Sequence, residues 1–360
     1  MTQYFMRILL ITNDWLPKKG GITTYLTNLV ESVEHEFTIY APSWAEGSNV
    51  INSSANFLLN SKDTVKEITD IIYNEKIDVI LHGSSNPQFL LINKLNQISN
   101  ANNSKNITIP QFMICHGAEF NILNYIPLIR TLLKRNLNKL NKIFTVSEFS
   151  KKKLQDITET EIVNIGAGVV IPDTKKEFQT EQNLKVGVMS RFVSRKKIDW
   201  VIEAVHELRE NGHNVELDIL GFGKQKNYLQ RLSSISSAKV NFIDEQVDEE
   251  YNFYENIDIF VMPSKSKYFG AEFEGLGLVY IEAASYGLPT LVGSSGGAPE
   301  TIIPGQSGFV VGDKKAIVDG ILYFIQNPKD LSIFGERNQQ NVFNNFNLNI
   351  FAEKFESELF

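Results

Sequence analysis

Cysteine occurs once in these 360 residues, and that count closes a first group of possibilities. No intrachain disulfide can form and no cysteine cluster can hold a metal, a usage that fits a reducing compartment. Long apolar runs are missing too: no stretch approaches the ~20 residues of a membrane-spanning helix. The N-terminal residues 1–11 hold one basic residue, then a short apolar run, then Thr12-Asn13-Asp14. That is the pattern of a first strand, not of a leader peptide, and the expected location is cytoplasmic. Positive charge is in deficit, 35 Lys and Arg against 42 Asp and Glu, for a net charge of −7. Such a balance argues against a nucleic-acid surface. No D-x-D sequence is present to hold a metal–diphosphate, and no H-E-x-x-H.

What is present is alternation. Apolar runs of strand length alternate with segments of helical period, the signature of parallel sheets covered by helices. Strands are expected at 8–11, 37–40, 79–81, 108–114 and 143–146, and again at 185–189, 216–220, 240–243, 257–262, 290–292 and 309–311. Between the two series lies a charged, aperiodic stretch at 174–183 that follows Pro172. The expected organisation is an α/β protein of two Rossmann-like, doubly wound lobes, 1–173 and 184–345, joined by a linker at 174–183. A C-terminal helix over 346–360 carries Phe351, Phe355 and Leu359 at helical spacing. Ligands in such folds bind at the carboxyl ends of the strands, and the two lobes are expected to face each other across a cleft there.

The most informative stretch is Phe273-Glu274-Gly275-Leu276-Gly277-Leu278-Val279-Tyr280-Ile281-Glu282. Glycines at a helix start leave backbone N–H groups bare for a phosphate, and Glu282 falls two turns beyond, where a carboxylate can take a sugar diol. The segment Ser190-Arg191-Phe192-Val193-Ser194-Arg195-Lys196-Lys197 places four cations in one βα loop. They repel one another unless an anion or solvent intervenes, so either the loop is simply solvated or Arg191 and Lys196 clamp a diphosphate. Gly20-Gly21 precedes a helix after the first strand, where backbone can approach an anion. His116, beside Gly117 at a strand end, is as readily structural as functional. A Cys115–His116 nucleophile is disfavoured because 112–115 reads as strand interior. Gly221-Phe222-Gly223 begins like a dinucleotide fingerprint, but Lys226 replaces its third glycine, which argues against an NAD enzyme. Five basic and no acidic residues lie in 126–143 among recurring Leu and Ile, an amphipathic basic helix suited either to a core-facing role or to anionic lipid.

Taken together, these segments resemble glycosyltransferase family 4, the retaining enzymes of the two-lobed GT-B type. Glu274 and Glu282 match its E-x7-E motif. Arg191 and Lys196 match its G-R-x-x-x-x-K-G motif, with Ser190 and Lys197 replacing the outer glycines. Thr145-Val146-Ser147-Glu148-Phe149-Ser150 is similar to its T-V-S-x-x-S segment, and Gly166-Ala167-Gly168-Val169 to its N-G-V turn with Ala167 in place of asparagine. The resemblance implies that Glu274 lies near the transferred sugar and Glu282 binds the ribose. It also implies that Gly20 and Gly21 form the donor-side glycine loop, that His116 contacts the donor sugar, and that Gly275, Leu276, Gly277 and Leu278 offer backbone to the donor.

The motif wording is closest to bacterial GDP-mannose enzymes such as phosphatidylinositol mannosyltransferases. The implied activity is transfer of a hexose, mannose from GDP-mannose first, to a lipid-linked or cell-envelope glycan acceptor, without metal or other cofactor. UDP-glucose and UDP-N-acetylglucosamine remain alternative donors, and a non-catalytic nucleotide-sugar-binding subunit the alternative of another class. The expected partners are donor and acceptor, with peripheral contact at the inner face of an anionic membrane through 126–143. The nucleobase contact is expected near Asp244–Val247.

Overall fold

Strands of Val, Ile, Leu and Phe that are apolar on both faces belong inside a parallel sheet with helices on either side. The computed structural model, which describes residues 5–101, 109–173, 176–178, 183–243 and 253–359, contains two such sheets. The first runs through β1 (Arg7–Ile11), β2 (Glu36–Ala41), β3 (Val50–Asn52), β4 (Val79–His82), β5 (Gln111–Cys115), β6 (Lys142–Thr145) and β7 (Ile162–Asn164). Its order is β3-β2-β1-β4-β5-β6-β7, with every pairing parallel. The second contains β8 (Leu184–Met189), β9 (Val215–Leu220), β10 (Lys239–Ile243), β11 (Ile259–Met262), β12 (Thr290–Gly293) and β13 (Gly308–Val311), in the order β10-β9-β8-β11-β12-β13, again parallel. In both sheets the winding reverses after the first strand, between β1 and β4 and between β8 and β11. In folds of this kind ligands bind at the carboxyl ends of those strands.

The chain divides into two compact units, Met1–Gly168 with Leu348–Phe360, and Val169–Asn347. Of the stretch 174–183, residues 174, 175 and 179–182 lie outside the described residues, as do Asp244–Val247, Thr108 and Phe360. The last helix, Leu348–Ser357, belongs to the first unit and packs on the helix Gly21–Ser32. Phe351 sets its ring 5.1 Å from that of Tyr25, and Phe355 lies 5.3 Å from Phe144. Gly168 is required for this seat: a Cβ there would stand 2.8 Å from Phe351.

Two expectations change. The basic helix read over 126–143 stops at Leu137, because Ile143 and Phe144 are taken up as buried residues of β6. Lys142 consequently sits in the sheet and bonds Glu358, and only Arg130, Lys134 and Arg135 ride on the helix Pro127–Leu137. The strands β3 and β7, three residues each, are too short to show any alternation in sequence. Ser147 caps the helix Glu148–Gln155: its hydroxyl accepts the Ser150 N–H at 3.1 Å.

Candidate active site

In the first unit, three loops leave the strand ends of β1, β4 and β5. Gly20 is the N-cap of the helix Gly21–Ser32, whose first turn receives no side-chain cap. A Cβ at Gly20 or Gly21 would meet nothing within 4 Å, so internal packing does not demand glycine at either position.

His116 is the first residue beyond β5, and its Nε2 lies 2.8 Å from the Gly83 carbonyl after β4. A carbonyl only accepts, so Nε2 carries the proton and Nδ1 is left as an acceptor. Burial lowers the imidazole to about 4, against a smaller upward pull from Gly83 O, and the ring is neutral at physiological pH. Tyr25 meets it edge-on at 4.8 Å. Glu119 accepts the His116 backbone N–H, while burial, with Asp14 adding to it, raises its carboxyl to about 7. Cys115 is fully buried in β5 and burial pushes its thiol well up, which removes a Cys–His nucleophile from consideration.

The second unit gathers charge at its own reversal point. A short turn, Ser194–Lys196, follows β8 and directs Lys196 inward, where only 7% of it remains exposed. Its ammonium lies 2.8 Å from Glu274 Oε2 and 3.3 Å from the Met262 sulfur. Arg195 Nη1 reaches the same Glu274 oxygen at 2.5 Å, and its Nε is 3.3 Å from Glu272. Ser264 Oγ donates to that oxygen at 3.0 Å, and the Glu274 N–H is held by Ser295 Oγ at 3.1 Å. Burial, acting upward on Glu274, is outweighed by Lys196 and Arg195 together, which hold the carboxyl far below the usual range. Burial lowers Lys196 to about 8, with Glu274 pulling upward and Arg195 and Arg191 adding to the fall.

Gly296, at φ +61°, is indispensable beneath this cluster, since a Cβ would fall 1.9 Å from the Glu274 carbonyl oxygen. Gly277, at φ +93°, opens the helix Leu278–Ser285 with no side-chain cap, leaving the N–H groups that follow Gly275-Leu276 free of one. Two turns on, the Glu282 carboxylate accepts from Tyr254 Oη at 2.8 Å and is raised by burial.

The structure thus joins Lys196 and Glu274 directly. It sets Glu282 on the next helix face with Tyr254, leaves Arg191 exposed, and carries His116, Gly20 and Gly21 on the first unit. Arg195, Ser264 and Tyr254 were not singled out from sequence. Arg195 stood within the four-cation run, Ser264 lay two residues beyond the predicted strand 257–262, and Tyr254 gave no signal at all. Gly221 and Gly223 acquire a structural reason: a Cβ on either would strike the backbone of Ser190 or Phe192, so they seat the cation loop.

Between β11 and Glu274 the chain makes a hairpin closed by Lys267 and Glu272, whose N–H and C=O groups pair at 2.9 and 3.2 Å. Its tip, Tyr268 and Phe269, holds left-handed φ angles of 50° and 54°, a strain of about 1–3 kcal/mol per residue.

Residues 171–341 match the family described as Glycosyl transferases group 1. Among curated relatives, a GDP-mannose-dependent alpha-(1-6)-phosphatidylinositol monomannoside mannosyltransferase of Mycolicibacterium smegmatis is 27% identical over 358 residues, covering 91% of each chain. A monoacylated-substrate counterpart from Corynebacterium glutamicum is 26% identical over 85% of this chain and 84% of its own. Among solved structures, Anabaena HepE in complex with UDP-glucose superposes with a TM-score of 0.75 at 17% identity, covering 98% of this chain and 99% of that one. A sucrose-phosphate synthase of Thermosynechococcus elongatus gives 0.77 at 17% identity, covering 98% of both.

Proposed function

We propose that this chain, whose residues 171–341 match the group 1 glycosyl transferases and whose two parallel-sheet units have the GT-B fold, works as a family 4 hexosyltransferase that moves mannose from GDP-mannose, with retention, to a lipid-linked or cell-envelope glycan acceptor. The observation that carries the donor assignment is the buried cluster of Glu274, Lys196 and Arg195 beside the uncapped start of the helix Leu278–Ser285. Fixed cations and helix N–H groups are what a departing diphosphate needs. The choice of mannose rests on the names of the two relatives covering most of the chain; the UDP-glucose bound by HepE supports a second reading.

In this reading the bond between the sugar C1 and the diphosphate oxygen breaks as the acceptor hydroxyl attacks from the same face. The departing phosphate takes the acceptor proton. Lys196 and Arg191, with Arg195 set behind, offset the charge that grows on the leaving group without a metal. Glu282 takes the ribose diol, Glu274 orients the cations and polarises the sugar, and His116 offers neutral Nδ1 to a sugar hydroxyl. Gly20 and Gly21 leave room for the donor.

Thermal-shift titration with GDP-mannose, UDP-glucose and UDP-N-acetylglucosamine tests the donor, since a ligand stabilises only the state that binds it. Stabilisation by GDP-mannose alone, with mannose released slowly to water, is the expected result. Stabilisation by a UDP-sugar instead moves the assignment to the second reading, and a response to none removes it.

Peripheral contact with an anionic membrane through the helix Pro127–Leu137 belongs to the same proposal. Its cations Arg130, Lys134 and Arg135 are exposed beside Ile126, Leu128 and Leu132, with Leu128 87% exposed. Among the described residues no helix is long and apolar enough to cross a membrane. Co-sedimentation with phosphatidylglycerol vesicles at low salt, lost at high salt, is expected; failure at low salt overturns the contact.

A further inference from the structure

The hairpin tip at Tyr268 and Phe269 carries two side chains for which the fold gives no account. Both rings stand in solvent, Tyr268 71% and Phe269 105% exposed, and both residues hold left-handed backbone that glycine or asparagine would adopt with less strain. Local conformation therefore disfavours aromatics here, and no burial compensates.

The stem, by contrast, is fixed to the charged cluster. The Lys267 ammonium bonds Ser194 Oγ, and Glu272 lies 3.3 Å from Arg195 Nε. Ser194 and Arg195 belong to the same turn as Lys196, and Arg195 and Lys196 share Glu274 Oε2. Two tethers thus hold the exposed rings at a set distance from Glu274. A strained, rigid aromatic tip beside a charged site is the arrangement expected of a contact surface.

We propose that Tyr268 and Phe269 form an acceptor subsite, an aromatic platform that takes the C–H face of a pyranose ring, so that the acceptor is itself a glycan or glycoside rather than a non-sugar alcohol. This rests on the glycosyl-transfer reading of the Glu274 cluster. The face of an aromatic ring is the negative side of its quadrupole, and the C–H bonds on one face of a hexopyranose present a weakly positive, apolar patch to it. Aromatic side chains also lose little freedom on binding. An anionic membrane would need free cations around the rings. Lys267 is engaged by Ser194, and the exposed Lys265 sets its ammonium over the Trp200 ring at 5.1 Å, so both neighbouring ammonium groups are directed to partners in this chain rather than to the tip.

Saturation-transfer NMR with mannobiose and maltose as probes tests the platform without requiring turnover. Saturation reaching the pyranose C–H protons is expected with the native chain and with Phe269→Trp, and is expected to vanish with Tyr268→Ala/Phe269→Ala. With a disaccharide acceptor, the double variant should raise the acceptor KM about tenfold or more, as loss of a stacked aromatic does, while GDP-mannose binding and its slow hydrolysis stay unchanged. Equal saturation in native and double-variant proteins, or none in the native one, overturns the subsite. So does a double variant that loses phosphatidylglycerol vesicle binding or self-association, seen by sedimentation, while keeping its sugar contacts. If no nucleotide sugar binds the native chain, the donor reading falls, and the NMR comparison still decides the platform.

Discussion

Lys196 and Glu274, 78 residues apart in the chain, meet at 2.8 Å in a pocket that leaves each less than a tenth exposed. A buried pair of this kind is not a source of net stability, because desolvating both charges offsets most of their attraction. In the proposed function its worth lies in fixing where a cation stands before the donor diphosphate arrives. Arg195 reaches the same oxygen and also faces Glu272 at 3.3 Å, so these four charges balance, and the positive excess beside them is that of the exposed Arg191 in the same loop.

Removing Glu274 should therefore harm both fold and function. Glu274→Ala leaves Lys196 and Arg195 buried without their partner, at a cost of about 3–5 kcal/mol in stability. Glu274→Gln, which keeps the shape and one acceptor, should lose less stability and still lower transfer about 100-fold. Urea denaturation beside a turnover assay separates the two effects. Near-native turnover in Glu274→Gln would contradict the assignment.

Lys196 offers a pH test with a definite sign. Its ammonium, lowered by burial to about 8, loses its proton as pH rises through that value. Donor kcat/KM, which reports the free enzyme, should fall above about pH 8, approaching tenfold per unit. Stability should not follow it down. Between about 8 and the ordinary lysine value, the unfolded chain holds a proton that the folded one has released, so this group makes the fold more stable as pH rises. Activity lost without unfolding over that window identifies the titration as one within the site.

The legibility of this chain in sequence follows from what each feature depends on. Eleven strands were visible because parallel, doubly covered strands are apolar throughout, and the Glu274–Glu282 spacing was visible because a helix fixes it. Arg195 was seen as charge but not as a partner. Which of four neighbouring cations turns inward is settled by the Ser194–Lys196 turn together with Gly221 and Gly223 behind it, and the approach of those glycines to Ser190 and Phe192 is a long-range fact. Tyr254 reaches Glu282 across 28 residues of sequence and could not be inferred from either segment. The basic helix was overextended because Leu140 and Ile143 continue the helical period, although Leu140 lies in the turn before β6 and Ile143 within that strand.

Tyr25 buttresses His116, and Phe351 buttresses Tyr25 in turn. The Tyr25 hydroxyl is buried without a hydrogen-bond partner among the described residues, and burial raises its pKa well above the ordinary value. Tyr25→Phe deletes an unsatisfied group and keeps the ring, so stability should hold or rise slightly and turnover should be unchanged. Phe351→Ala opens a cavity beneath Tyr25, with a loss of about 3–5 kcal/mol. If His116 works as proposed, kcat falls with it although Phe351 touches no substrate. Thermal melts and steady-state kinetics on the two variants give opposite outcomes if the ring, not the hydroxyl, is what matters.

Phe269 provides the sharpest separation of fold from function. Its left-handed φ of 54° strains the backbone, and its fully exposed ring gains nothing from burial. Glycine relaxes the backbone but enlarges the freedom of the unfolded chain, and the first effect exceeds the second where a bulky residue is held in that region. Phe269→Gly should accordingly stabilise the protein by about 1 kcal/mol in chemical denaturation. Tyr268→Gly should act in the same direction. A stabilised variant that transfers poorly to a sugar acceptor, yet still hydrolyses its donor at the native rate, would show that the strain at the hairpin tip is kept for the acceptor. A destabilised Phe269→Gly would mean that the ring has a packing role, and the tip would then be explained by the fold alone.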